Sequence, residues 1–240
     1  MRILPWAWLL CAAPCCGQPA ATLEKALSGV RSIATLHCSA IRKQSFDGEI
    51  KTVRLDFYFD RQGYNWAYVY AAPYAYTFAA NDSMLRGVNR KTKTGYCVKN
   101  SVNGRRYREL VESTHLLAPL LQFTRMDTLA VDLKASVDNF LYFQRPTATG
   151  SEGIKVDAVK NSIRVVETFD ETGCVRWQTF CVYDTVKAPQ AAWPVMLVSK
   201  RIVAGSIQID SLLFTKIEID KKIKASVFDL PPFDTLPAAQ

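Results

Sequence analysis

Residue types able to do covalent chemistry are few and scattered. The 240-residue sequence holds two histidines, His37 and His115, far apart and too few for a multi-histidine metal site. It has no Gly-x-Ser-x-Gly elbow, no His-Glu-x-x-His, no phosphate-cradling glycine loop and no acidic calcium loop. Asp56 and Asp60 share a parity in an alternating stretch, where a carboxylate pair is ordinarily solvated. His115 precedes Leu116 and Leu117, which fits a packed or capping residue better than a catalytic one. The expectation is a protein that is not an enzyme and uses no cofactor or metal. A hydrolase triad assembled only in space is the reading this would miss.

What the sequence offers instead is apolar surface. It has 12 Phe, 10 Tyr and 5 Trp, enough to line a hydrophobic cavity as well as a core. Phe57 and Phe59 share one parity, and Trp66, Tyr68 and Tyr70 share another across a short turn. Such side chains pack as core or line a concave apolar face. Each buried CH₂ of an acyl chain is worth about 0.8 kcal/mol, so a lipid binder needs such a face. Arg61 has the parity of Phe57 and Phe59. Pointed at the apolar side, its charge would need acceptors such as backbone carbonyls; otherwise it is a solvated turn arginine. Leu116, Leu117, Leu120 and Leu121 form a second apolar cluster, around Pro119. Lys91, Lys93, Arg105, Arg106 and Arg108 stand near Tyr96 and Tyr107, a pattern that can bind single-stranded nucleic acid. A basic loop face explains it equally, and no nucleic-acid partner is expected.

The elements that must hold these residues are mostly strands. Residues 22–34 have apolar positions at helical spacing, with Thr22 as N-cap. From Thr35 the period becomes two. Residues 55–60, 66–71, 76–80 and 84–89 read as antiparallel strands joined by turns at 61–63 and at Asn81-Asp82. Residues 113–135 read as two short helices, the first starting at Ser113 or Thr114 and the second over 127–135. Strands resume at 139–144, 154–159, 163–169, 175–183, 195–203 and 207–219. With no Gly/Ser-rich or charged linker, residues 18–240 read as one domain. The fold class is mainly antiparallel β with a few helices (α+β), and a sheet of that many strands tends to curl.

Residues 1–17 read as a secretory signal peptide: a basic start, an apolar run from Ile3 to Leu10 too short to span a bilayer, and small residues before Gln18. The expected location is the periplasm. A lipid-anchored form at Cys15 or Cys16 is the rival, although Ala13-Pro14-Cys15 matches the lipidation pattern poorly. Outside the cytoplasm, Cys38, Cys97, Cys174 and Cys181 could pair in three ways or stay as buried free thiols. A Cys174–Cys181 bridge is disfavoured: on one straight strand the two would be about 23 Å apart and on opposite faces. The formal charge of +8 favours anionic partners or simply solubility.

One stretch carries a recognisable pattern. It reads L-D-F-Y-F-D-R-Q-G-Y-N-W-A-Y-V-Y-A-A-P from Leu55, then A-A-N-D-S-M-L. Together with the preceding helix, the leucine-rich insertion and the terminal V-F-D-L-P-P, it resembles the periplasmic outer-membrane lipoprotein carrier family (LolA-like). The resemblance implies a strongly curved half-barrel sheet covered by a helical lid, with acyl chains of a lipoprotein or lipid held between them. It implies that Arg61 governs opening of the lid and that Trp66 is the matching aromatic after the turn. The ligand-binding set expected on this basis is Phe57, Phe59, Arg61, Trp66, Tyr68, Tyr70, Leu117, Leu120 and Leu121. The implied partners are inner- and outer-membrane transfer proteins, and a monomer is expected. Gln62 stands where the family often has proline, and Asp82-Ser83 where it has Asp-Gly. The alternative is a regulatory module similar to the RseB family, which binds an anti-sigma factor and senses misplaced lipoproteins; such chains usually carry a second, C-terminal domain.

Overall fold

A computed structural model describes residues 17–46, 48–100, 107, 110, 111, 114–123, 131–183, 193–203, 205–230 and 232–235. The segment read as a signal peptide lies outside these residues, except Gly17. Among the described residues, fourteen strands form one open, curved sheet. Its spatial order is β14-β6-β5-β4-β3-β2-β1-β13-β12-β11-β10-β9-β8-β7. The first half is β1 (Thr35–Phe46), β2 (Glu49–Asp60), β3 (Asn65–Tyr70), β4 (Tyr76–Ala80), β5 (Met84–Asn89) and β6 (Thr94–Lys99). The second is β7 (Asp132–Val137), β8 (Phe140–Thr147), β9 (Gly150–Asp157), β10 (Ser162–Phe169), β11 (Val175–Val182), β12 (Met196–Val203) and β13 (Ser206–Ile219). The halves meet where β1 pairs β13 antiparallel, from Leu36–Ile219 to Ser45–Ile209. After β13 the chain turns through a 3-10 helix, Ala225–Val227, and β14 (Asp234–Thr235) pairs in parallel with β6.

Helix α1 (Gly17–Arg31) packs Leu23, Ala26, Leu27 and Val30 onto the inner face of the sheet. It starts earlier than its sequence suggests, because Pro19 falls in the first turn, where a missing N–H is tolerated. Thr22 is therefore inside the helix and not its cap. The leucine-rich segment also covers the inner face, and α2 (Ala118–Phe123) carries Leu120 and Leu121. Its first helical turn lies before the expected start: the Thr114 hydroxyl donates to the Leu110 carbonyl at 2.7 Å, a bond within a helix and not a cap.

The helix expected over 127–135 is not formed where it is described. Asp132–Val137 is edge strand β7, paired with β8 through a bulge between Leu133 and Ala135; residues 127–130 lie outside the described residues. Leu, Lys and Ala favour helices intrinsically, but the unpaired edge of β8 supplies a hydrogen-bonding partner that propensity does not register. The four cysteines among the described residues are free thiols, Cys38 and Cys181 buried, Cys97 and Cys174 exposed.

Candidate functional site

The inner face of the first half is built by period two. Leu55, Phe57 and Phe59 on β2 are buried, and register places them against Tyr70, Tyr68 and Trp66 on β3. Leu36, Cys38 and Ala40 of β1 complete the rows on the other side. Phe57 and Tyr68 lie 4.9 Å apart between ring centroids, Trp66 and Tyr68 5.8 Å. Leu117, Leu120 and Leu121 close on this layer and are fully buried. Eight of the nine expected binding residues thus converge between helices and sheet. The ninth, Tyr70, lies at the border of that layer.

Two polar groups stand in this apolar interior. Arg61, in the β2–β3 turn, donates from Nε to the Ile33 carbonyl and from Nη2 to the Val30 carbonyl, both at 2.7 Å. Val30 is in the last turn of α1 and Ile33 lies two residues beyond it, so the cation also meets the negative end of the helix dipole. Its guanidinium lies 5.5 Å from the Phe59 ring centroid. The turn that aims Arg61 needs Gly63 at φ +94°, a region that favours glycine. The same corner is tied to the far end of the chain, since Asp220 accepts from the Ala34 and Thr35 N–H groups at 2.7 and 3.2 Å.

His115 is fully buried beneath the leucine cluster. Its ring stacks on Trp66 at 4.1 Å and on Phe57 at 5.6 Å, and Nδ1 is 3.1 Å from the Tyr68 hydroxyl. Nε2 has no partner among the described residues. Burial holds its pKa well below the usual histidine range and pushes that of Tyr68 well above the usual phenol range.

A belt of buried polar side chains crosses the inner face towards the other end of the strands. Asp210 on β13 accepts from Arg42 Nε and Nη2 at 3.1 and 3.0 Å, while Arg42 Nη1 donates to the Tyr70 hydroxyl at 2.5 Å. Gln208 donates to Asp210 at 3.1 Å and accepts from Arg201 at 2.9 Å. Thr179 and Ser199 share a hydrogen bond at 2.9 Å on the neighbouring strands. Beyond Arg42 opens a cleft of about 260 Å³ walled by Gln44, Lys51, Val53, Tyr74 and Tyr76. A second one of about 610 Å³ lies beside Arg54, Val69 and Ala71. Tyr70 lines both.

Sequence reading missed this belt. Its signal is in β13, where Ile207 and Ile209 have one parity and Leu212 and Phe214 the other. The buried positions are Gln208, Asp210, Leu212 and Phe214, so the strand turns apolar residues outward and polar ones inward over its first half. The basic cluster gives no comparable site: Lys91 and Lys93 are exposed in the β5–β6 turn, and Arg105, Arg106 and Arg108 lie outside the described residues. Asp56 accepts from the Ser39 hydroxyl and Asp60 from the Gln62 N–H, local bonds of a solvated face.

No protein-family model matches the chain, and no curated protein does. Solved structures do match. A DUF1329 family protein from Desulfovibrio piger superposes with a TM-score of 0.59 at 12% identity, over 88% of this chain and 97% of that one. A domain named for outer membrane lipoprotein sorting, from Vibrio parahaemolyticus, gives 0.60 at 6%, over 88% and 97%. A LolA superfamily protein from Nitrosomonas europaea gives 0.59 at 9%, over 89% and 98%. At these identities the likeness is one of fold, and the chain has the fold of the LolA superfamily.

Proposed function

We propose that this protein is a carrier that binds the acyl chains of a lipid or lipoprotein between α1, the leucine-rich segment and the inner face of the sheet. It works outside the cytoplasm, in the cell envelope, and passes its cargo between membrane partners without covalent chemistry. The observation that carries this reading is the Arg61 latch. A single turn arginine holds the end of α1 by two carbonyl hydrogen bonds, over a layer of aromatic and leucine side chains. Such a contact is easily exchanged, because water replaces both acceptors when the helix lifts.

The closed interior supports an opening step. The cleft at its border, about 260 Å³, is below the roughly 300–1,000 Å³ of ligand pockets, so an acyl chain requires the helix to move. Phe57, Phe59, Trp66, Tyr68, Leu117, Leu120 and Leu121 then become its walls, with Tyr70 and Arg42 where the apolar interior gives way to the polar belt.

Native mass spectrometry of protein purified from the periplasm without detergent, followed by solvent extraction, tests this. The expected result is a co-purifying lipid or acylated peptide, with occupancy altered in a folded Arg61→Leu variant. Unchanged occupancy in that variant removes the latch from the mechanism, and an empty protein that also fails to take up added fatty-acyl ligand overturns the carrier reading.

A further inference from the structure

The inverted half of β13 has a consequence on the outer face, which α1 and the leucine-rich segment leave uncovered. Ile202, Ile207, Ile209 and Leu213 each expose 45–56% of their surface. Register makes them one patch. Ile202 pairs with Ile207, Lys200 with Ile209, and Met196 with Leu213, which in turn faces Ile41 across the β1–β13 seam. Phe180 pairs with Val198 and extends the patch onto β11. Isolated exposed apolar residues need no explanation, but a contiguous set over four strands does.

The charges on this face have one dominant sign. Lys43 lies opposite Ser211, Lys200 opposite Ile209, and Arg54 opposite Ile41. All three are exposed, and none is paired with a carboxylate among the described residues. The acids of the face stand at its margins and are engaged: Glu167 accepts from Gln178, Asp56 from Ser39 while lying 3.5 Å from His37, Asp60 from the Gln62 N–H, and Glu218 at the end of β13 pairs with His37 and Lys216. The cleft of about 610 Å³ beside Arg54 continues the patch and is large enough for a headgroup.

We infer that the outer face of β11, β12, β13, β1 and β2 docks on an anionic lipid surface. Aliphatic side chains ringed by lysine and arginine suit the boundary between headgroups and acyl chains, where each basic residue gains about 1 kcal/mol from anionic lipid. A protein partner is the poorer fit. The one exposed aromatic of the patch is Phe180, since Tyr58 on β2 is half-buried against His37, and the bases beside it include Lys43 and Lys200, whereas protein interfaces favour Trp, Tyr and Arg anchors seated in pockets. The inference does not depend on the cargo, which the proposed carrier holds on the opposite face.

Flotation with vesicles of phosphatidylcholine, with and without phosphatidylglycerol, tests it at low and high salt. The intact chain is expected to float with the anionic vesicles at low salt and to be released by salt. The double variant Lys43→Gln/Lys200→Gln should partition about 25-fold less, roughly five-fold per charge. The double variant Ile207→Asn/Ile209→Asn should also lose binding, with an unchanged circular dichroism spectrum because both side chains are exposed. Neither pair lines the cargo interior, so cargo occupancy by native mass spectrometry should stay as in the parent. Equal partition of the lysine variant, or no flotation of the parent with anionic vesicles, overturns the inference. So does a dimer, seen by sedimentation, that the same substitutions dissociate without any vesicle binding.

Discussion

His115 has to stay neutral for the closed form to exist. Its ring lies between Trp66 and Leu-rich cover with no counter-ion beside it among the described residues, and burial depresses its pKa. In the unfolded chain it titrates near 6.5. Below that pH the unfolded state holds a proton that the folded state refuses, so stability is present above about pH 6.5 and falls as the pH drops towards the depressed folded value. The slope contributed is at most about 1.4 kcal/mol per pH unit. His115→Phe keeps a ring in the stack and removes the titration. Urea midpoints between about pH 7 and pH 5 should fall less steeply in that variant than in the parent; parallel slopes would show that another group controls acid stability. At this scale much was legible in the sequence. Alternation groups Phe57 with Phe59 on β2, and Trp66 with Tyr68 and Tyr70 on β3, because a strand has only two sides, and all five are on the inner face. The parity of Arg61 left two readings, a solvated turn arginine or one that needs carbonyl acceptors, and its bonds to the Ile33 and Val30 carbonyls are of the second kind. Arg42 and Asp210 were not legible, since their pairing joins positions 168 apart in sequence.

The elements divide by whether their partners are local. Hairpins such as β2–β3 and β4–β5 were readable because turn residues and alternation lie within one window. β7 was not, since its state is set by the edge it pairs with. The C-terminal tail is the same kind of case: its sequence suggests an end to the domain, and the structure makes it a strap. Arg86 donates to the Phe228 carbonyl at 2.7 Å, the Asp234 N–H donates to the Lys93 carbonyl at 2.9 Å, and β14 lies against β6. Gly95 is the residue that permits this. A Cβ there would lie 2.3 Å from the Gly87 backbone oxygen and 2.9 Å from the Phe233 ring. Backbone cannot give way as a flexible side chain can, so Gly95→Ala should cost about 1–3 kcal/mol, as overpacking does. It should also free the tail to proteolysis before the rest of the chain. A variant with the parent's urea midpoint and an equally protected tail would show that β6 and β14 are not clamped together at this point.

The molecule as a whole is two runs of antiparallel strands that close on each other only after the chain is nearly complete, when β13 meets β1. Pairing so distant in sequence carries a loop-closure cost and slows folding. The polar belt crosses that seam: Arg201 and Gln208 on one side reach Asp210, and Asp210 reaches Arg42 and then Tyr70 on the other. A buried ion pair adds little net stability over apolar residues of like shape, but it penalises any register that separates its partners. A slip of one residue between β1 and β13 would turn Arg42 and Asp210 to opposite faces, strand against strand. Asp210 is 2% exposed and Arg42 11%, so removing one partner strands a buried charge. Arg42→Met or Asp210→Leu alone should therefore cost about 3–5 kcal/mol, and the double variant much less than their sum. Urea unfolding of the four proteins measures the coupling directly. If instead the single losses add, the pair does not act across the seam, and the register of the two halves rests on the apolar rows of Cys38, Ala40, Leu212 and Phe214 alone.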